Sequence, residues 1–82
     1  MLHEAYDASD LGRAIKRLRA DRRLTQDQLA GWLGVSRQTV ISLEQGGPVS
    51  IAVAMRALAI LGSKVVVASK GAILAEWGSR EQ

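Results

Sequence analysis

The first stretch of the chain alternates apolar and polar residues with the period of an α-helix. Its apolar residues recur at intervals of three and four and so share one helix face: Leu11, Ala14, Ile15 and Leu18. Asp7 precedes them and is a suitable N-cap, because its carboxylate can accept an amide hydrogen of the first turn. We therefore predict a first helix over about residues 8–22.

A second helix is predicted over about residues 25–33. Thr25 and Gln28 have the spacing of a capping box, in which each side chain accepts a backbone amide of the other residue. The apolar stripe of this helix consists of Leu29, Ala30 and Leu33. Gly34 follows the stripe and ends the helix, because glycine adopts a left-handed backbone at little cost.

A third helix is predicted over about residues 36–45, with Ser36 as its N-cap. Val40 and Leu43 lie on its inward face. The outward face then presents mainly hydrogen-bonding side chains: Arg37, Gln38, Thr39, Ile41 and Ser42. A major groove admits one helix, and Arg and Gln match the edges of guanine and adenine, so this face is suited to reading DNA.

The predicted fourth helix, over about residues 51–61, is apolar nearly all round. Ser50 can cap it, Gly62 can end it, and Arg56 is its one charged residue. A helix of this kind must be covered on more than one side. We expect one side to pack on the first three helices and the other to contact a second copy of the chain.

Residues 64–69 change to strand character, because the three consecutive residues Val65, Val66 and Val67 favour an extended backbone. A lone strand leaves its backbone groups unpaired. It can pair with the same strand of a second chain, or fold back as a hairpin onto residues 72–76 of the tail, 70–82. We favour the inter-chain pairing, since an isolated hairpin is marginally stable. Residues 72–77 could instead form a short helix.

The composition narrows the functional classes. The chain has 82 residues, which is one small domain, and it has no cysteine and a single histidine, His3. No nucleophile and base pair, metal-ligand set or membrane-length apolar run is present, so we expect no enzyme, metal or cofactor, and a cytoplasmic, nucleoid-associated protein. The net charge of +3 suits an anionic partner. For Arg13, Lys16 and Arg17 we favour a solvated helix face over a phosphate-binding patch.

The second and third helices resemble the helix-turn-helix of the phage repressor and Cro family. The resemblance implies a mainly α, lambda-repressor-like four-helix DNA-binding domain. It rests on several fixed spacings that are satisfied together: Leu24-Thr25-Gln26, Leu29-Ala30, Gly34-Val35-Ser36, Val40 and Leu43-Glu44-Gln45-Gly46.

Roles for individual residues follow from this resemblance. Gln26 would anchor a DNA phosphate, and Arg19 would form a structural ion pair with Glu44. A glycine commonly stands where this chain has Arg23, so either arginine takes a left-handed backbone there or the turn differs. The DNA-binding residues would be Gln26, Ser36, Arg37, Gln38, Thr39 and Ser42, of which Thr39 is expected to contact the backbone.

Four further features follow one another along the chain, namely a tyrosine before the first helix, a shortened loop after the motif, a helix that ends in Leu-Gly and a valine-rich strand: Tyr6, Gly46-Gly47-Pro48, Leu61-Gly62 and residues 64–69. With these features, over about residues 6–69, the chain further resembles the HipB-type antitoxins, which are dimeric repressors that also bind a kinase toxin. This resemblance implies a homodimer on a palindromic double-stranded operator, joined by Val65, Val66 and Val67, with a HipA-like kinase as a possible partner.

The roles of the two tryptophans are separate expectations. Trp77 either anchors the kinase partner or packs over the dimer strand. We expect Trp32 to pack partly against the first or fourth helix rather than against nucleic acid. The alternatives are a stand-alone phage-type repressor and a toxin-neutralising module with little DNA binding.

Overall fold

The computed structural model describes residues 3–69, and this part of the chain is mainly α-helical. The mainly α, four-helix architecture expected from the apolar pattern is confirmed. The helices are α1 (Ala8–Asp21), α2 (Gln26–Leu33), α3 (Arg37–Glu44) and α4 (Ile51–Ile60).

Each helix begins after a polar side chain that accepts the backbone amide three residues ahead. These N-caps are Asp7, Thr25, Ser36 and Ser50. At α2 the capping box is complete: Gln28 N–H donates to Thr25 Oγ1 at 3.0 Å, and Thr25 N–H donates to Gln28 Oε1 at 2.8 Å. An N-cap stabilises a helix by about 1 kcal/mol, so the local sequence fixes where these helices start.

The four helices also end alike. After each one, a residue with positive φ turns the chain, and the next amide bonds to the carbonyl five residues back, as in a Schellman motif. The positive-φ residues are Arg23, Gly34, Gly46 and Gly62. The closing bonds are Leu24 to Arg19 at 3.1 Å, Val35 to Ala30 at 3.0 Å, Gly47 to Ser42 at 2.8 Å and Ser63 to Leu58 at 2.8 Å.

Arg23 is the one non-glycine residue with positive φ in the part of the chain that the structure describes, at +56°. The arginine therefore takes the left-handed backbone that glycine commonly provides in the resembled family. This conformation costs an L-residue other than glycine roughly 1–2 kcal/mol. The turn between α1 and α2 thus has the same backbone geometry as the other helix ends, but its arginine is conformationally strained.

One hydrophobic core holds the helices together. α3 packs against both α1 and α2, and α4 packs against α2. Among the described residues, the largest fully buried side chains come from α1, α2, α3 and the C-cap of α4: Ile15, Leu29, Leu33, Val40 and Leu61. Burying a Val, Leu or Ile side chain contributes about 1.5–3 kcal/mol, so this core fixes the position of α3 relative to its neighbours.

Gly12 allows α1 and α3 to approach closely. It is buried, and a Cβ added there would lie 2.5 Å from the carbonyl oxygens of both Leu43 and Glu44. Those oxygens belong to the last turn of α3, which cannot move without disturbing the helix. The glycine is therefore required by helix packing, a role that helix propensity alone does not reveal.

The outward side of α4 is exposed and apolar in the single chain. Ile51 is 78% exposed and Met55 is 46% exposed, and exposed Ala59 continues the line one turn later. We call Ile51, Met55 and Ala59 the α4 stripe. None of the four described helices has the length and apolar character that crossing a bilayer requires.

Residues 63–69 contain no assigned strand in the single chain. Val65 is 46% exposed and Val67 is 93% exposed. The strand remains a prediction, since its expected partner is another chain. The hairpin and the short helix involve the tail, 70–82, and Trp77, which lie outside the described residues.

Candidate nucleic-acid interface

A buried ion pair connects α1 to the end of α3. Arg19 Nε donates to Glu44 Oε2 at 2.6 Å, and Arg19 Nη2 donates to Glu44 Oε1 at 3.1 Å. Glu44 is only 6% exposed. Arg19 Nη1 also donates to the carbonyl of Leu24 at 2.7 Å, so the same guanidinium fixes the turn before α2. Charge-assisted bonds in this fork geometry are among the stronger hydrogen bonds in proteins.

Gln26 joins the same network. Its Nε2 donates to Glu44 Oε1 at 3.1 Å, and the side chain is half-buried. The glutamine expected to anchor a phosphate therefore also ties the first turn of α2 to the end of α3. Glu44 accordingly receives donors from both α1 and α2, and together they fix the orientation of α3.

Arg37 and Gln38 begin α3, and both are exposed. They sit in the first turn of a helix whose opposite face, Val40 and Leu43, is buried in the core. Arginine and glutamine can each make two hydrogen bonds to one base edge in a major groove. These two side chains are the best-placed candidates for base recognition among the described residues.

Ser36 and Thr39 form hydrogen bonds with each other at the start of α3. Ser36 Oγ accepts the Thr39 amide at 3.2 Å, and the two hydroxyl groups lie 3.0 Å apart. Ser36 is exposed but acts as the N-cap, while Thr39 is half-buried. Their first role is thus to stabilise the start of the helix that carries Arg37 and Gln38.

Ser42 and Ile41 lie one turn further along α3 and are half-buried. The Ser42 hydroxyl lies against the backbone of Gly47, in the turn that follows α3. Ser42 is thus less accessible than the residues of the first turn. A side chain at position 47 would collide with it, so the glycine permits this arrangement.

An open cleft of about 580 Å³ lies beside the start of α2. Arg23 and Arg37 line it from the α1–α2 turn and from α3, and Asp27 contributes an opposite charge. Arg19 and Gln26 also line this cleft, although both donate to Glu44. The exposed start of α3 and this cleft together form the candidate interface.

Arg56 has a structural role that the apolar pattern did not reveal. Its Nη2 donates to the carbonyl of Leu33 at 2.8 Å and so connects α4 to the C-terminal end of α2. Basic side chains are favourable at such ends, where carbonyl groups lack helical partners. The single charge on an otherwise apolar helix was the available signal.

A family model described as "Helix-turn-helix domain" matches residues 10–67, which include nearly all of the four helices. The chain belongs to the helix-turn-helix domain family. This membership indicates a DNA-binding regulator and agrees with the resemblance to the phage repressor and Cro type. No curated protein matches the chain.

Proposed function

We propose that this helix-turn-helix protein is a sequence-specific transcriptional repressor that acts by occupying DNA, without catalysis. The main support for this function is that Arg37 and Gln38 are exposed on a helix whose position is fixed by the Glu44 network and the core. In the proposed complex the first turn of α3 enters the major groove. Bidentate contacts to base edges then provide sequence preference.

Phosphate contacts would supply much of the affinity. The chain carries a net charge of +3, and the candidate interface includes two exposed arginines, Arg23 and Arg37. Neutralising phosphates releases counterions, so the affinity should fall as salt rises. Gln26 and Thr39 would add contacts to the DNA backbone, which orient the protein without choosing a sequence.

The proposed active form is a homodimer on a palindromic operator. The α4 stripe supports this, because two copies that share it would cover Ile51 and Met55. Val65, Val66 and Val67 would extend the interface by pairing between chains. Two recognition helices of such a dimer would enter major grooves roughly 34–36 Å apart. Repression would be steric and would take place at the nucleoid, in the cytoplasm.

More specifically, we propose that the protein is an autoregulating antitoxin of the HipB type, with a HipA-like kinase as its toxin. The resemblance over about residues 6–69 is its support. Purification of the tagged chain from its own host, together with the products of its flanking genes, tests it. Two copies of the chain with one or two copies of a kinase-like protein are expected. A bare dimer would indicate a stand-alone repressor instead.

DNA recognition itself is tested by selecting duplexes from a random library with the purified full chain. We expect a palindromic consensus whose half-sites are centred about 10 base pairs apart. A library that stays random after several rounds would contradict sequence-specific recognition. Toxin binding by a chain that fails this selection would favour the toxin-neutralising module.

A further inference from the structure

The four helix ends share one geometry but not one residue. Three use glycine at the positive-φ position, and the α1–α2 turn uses Arg23. The backbone bonds of that turn, Arg23 N–H to the Ala20 carbonyl at 2.9 Å and Leu24 N–H to the Arg19 carbonyl at 3.1 Å, need no side chain. Glycine would make both bonds with less strain.

Burial does not explain the arginine either, because Arg23 is exposed. A strained residue persists where its side chain does something that the relaxed alternative cannot do. Relative to glycine, arginine adds a long stem and a permanent positive charge with planar donors. The advantage should therefore lie in what that guanidinium can bind.

The residues around Arg23 indicate that its ligand is an anion. Arg23 lines the same cleft as Arg37, the arginine at the start of the recognition helix. The third arginine of the cleft, Arg19, is engaged with Glu44, and Asp27 is the one acidic residue that lines the cleft. Arg23 and Arg37 thus bring two guanidinium groups to one open surface beside α3.

From this we infer that Arg23 is a phosphate-binding residue, which contacts the DNA backbone at the edge of the segment that α3 reads. The inference rests on the proposed DNA-binding function and extends it to a residue outside the two helices of the motif. Guanidinium groups bind phosphate oxygens through paired donors. The contact would provide affinity at every sequence alike.

The substitution Arg23→Gly makes a sharp test, because it removes the guanidinium while favouring the backbone conformation. The variant should melt at or above the temperature of the wild type. Its affinity should fall about threefold to tenfold on the selected operator and equally on an unrelated duplex. The slope of log affinity against log salt should also become shallower by about 0.9, the contribution of one phosphate contact.

Two further variants complete the design. Arg23→Lys keeps the charge, and should retain most of the salt slope with a smaller loss of affinity. Arg17→Gln removes one charge from an exposed position of α1 outside the cleft, and should bind DNA almost as the wild type does. These controls distinguish the effect of a positive charge at position 23 from the effect of the net charge of the chain.

The inference is overturned if Arg23→Gly binds DNA no more weakly than Arg17→Gln, or loses affinity for the operator alone. A lower melting temperature for Arg23→Gly would also overturn it, because the arginine would then be needed for folding. In those cases the wild type still binds DNA and the proposed function stands. If the wild type binds no duplex at any salt concentration, the proposed function and this inference fail together.

Discussion

Arg19 in α1 and Glu44 at the end of α3 are joined by two hydrogen bonds, of 2.6 and 3.1 Å, in a largely buried position. Gln26 of α2 donates to the same carboxylate. One side chain thus joins three helices at the point where the recognition helix ends. The orientation of α3, which carries the proposed DNA-reading face, depends on this network as well as on the core.

We predict that Glu44→Ala lowers the melting temperature, and that this loss of stability appears before any change in base preference. The substitution leaves the Arg19 guanidinium without its buried partner, which costs about 3–5 kcal/mol. Arg13→Ala is the matched control, because the Arg13–Asp10 pair is exposed on its arginine side and should contribute at most about 1 kcal/mol. Thermal melts of both variants measure the difference. A Glu44→Ala variant that melts at the same temperature as the wild type would refute the structural role of the Arg19–Glu44 pair.

Gly12→Ala should destabilise the fold by about 1–3 kcal/mol, because the new methyl group has no space against the α3 carbonyls. Gly31→Ala is the comparison. It is also helical, but a Cβ there meets nothing within 4 Å, so alanine should stabilise α2 by about 0.5–1 kcal/mol. Denaturant unfolding of both variants checks the opposite signs. Equal effects would contradict the close approach of α1 and α3.

The helices and their caps could be predicted from sequence because local signals determine them. The capping box of Thr25 and Gln28 and the stop at Gly34 are each contained within a few residues. The Arg19–Glu44 pair spans 25 positions, and only a family resemblance could suggest it. The need for Gly12 was not predictable, since it depends on where α3 crosses α1.

The structure refines two further expectations, for Trp32 and for Gln26. Trp32 was expected to pack partly against the first or fourth helix, and it is 72% exposed, so most of its side chain faces solvent. It lies beside the buried stripe of α2 in sequence, and a rotation of one position around a short helix decides between core and solvent. Gln26 was assigned to phosphate alone, and its hydrogen bond to Glu44 adds a structural role.

Arg37→Ala and Gln38→Ala should each relax preference at particular bases of the selected operator, by about 1–3 kcal/mol. Gln26→Ala should instead weaken binding to all sequences more evenly, because it removes a proposed contact to the DNA backbone and a hydrogen bond of the Glu44 network. Affinities for the operator and for single-base variants of it distinguish the two patterns. Equal losses on operator and random DNA for all three variants would refute the assigned roles.

Ile51→Glu should break the proposed dimer without unfolding the chain. Ile51 is 78% exposed in the single chain, and a carboxylate is favourable in the first turn of a helix. In a dimer built on the α4 stripe, the same charge would be buried, and the dissociation constant should rise at least about tenfold. Sedimentation of the wild type and of this variant gives the result, with Lys16→Glu as an exposed control. A wild type that sediments as a monomer would contradict the dimer.

In the proposed complex the first turn of α3 reads the DNA sequence. This role is tested most directly by comparing the affinity of the full chain for the selected duplex and for a duplex of the same composition in shuffled order, at one fixed salt concentration. We predict a preference of at least about a thousandfold for the selected duplex. Equal affinity for the two duplexes would contradict it.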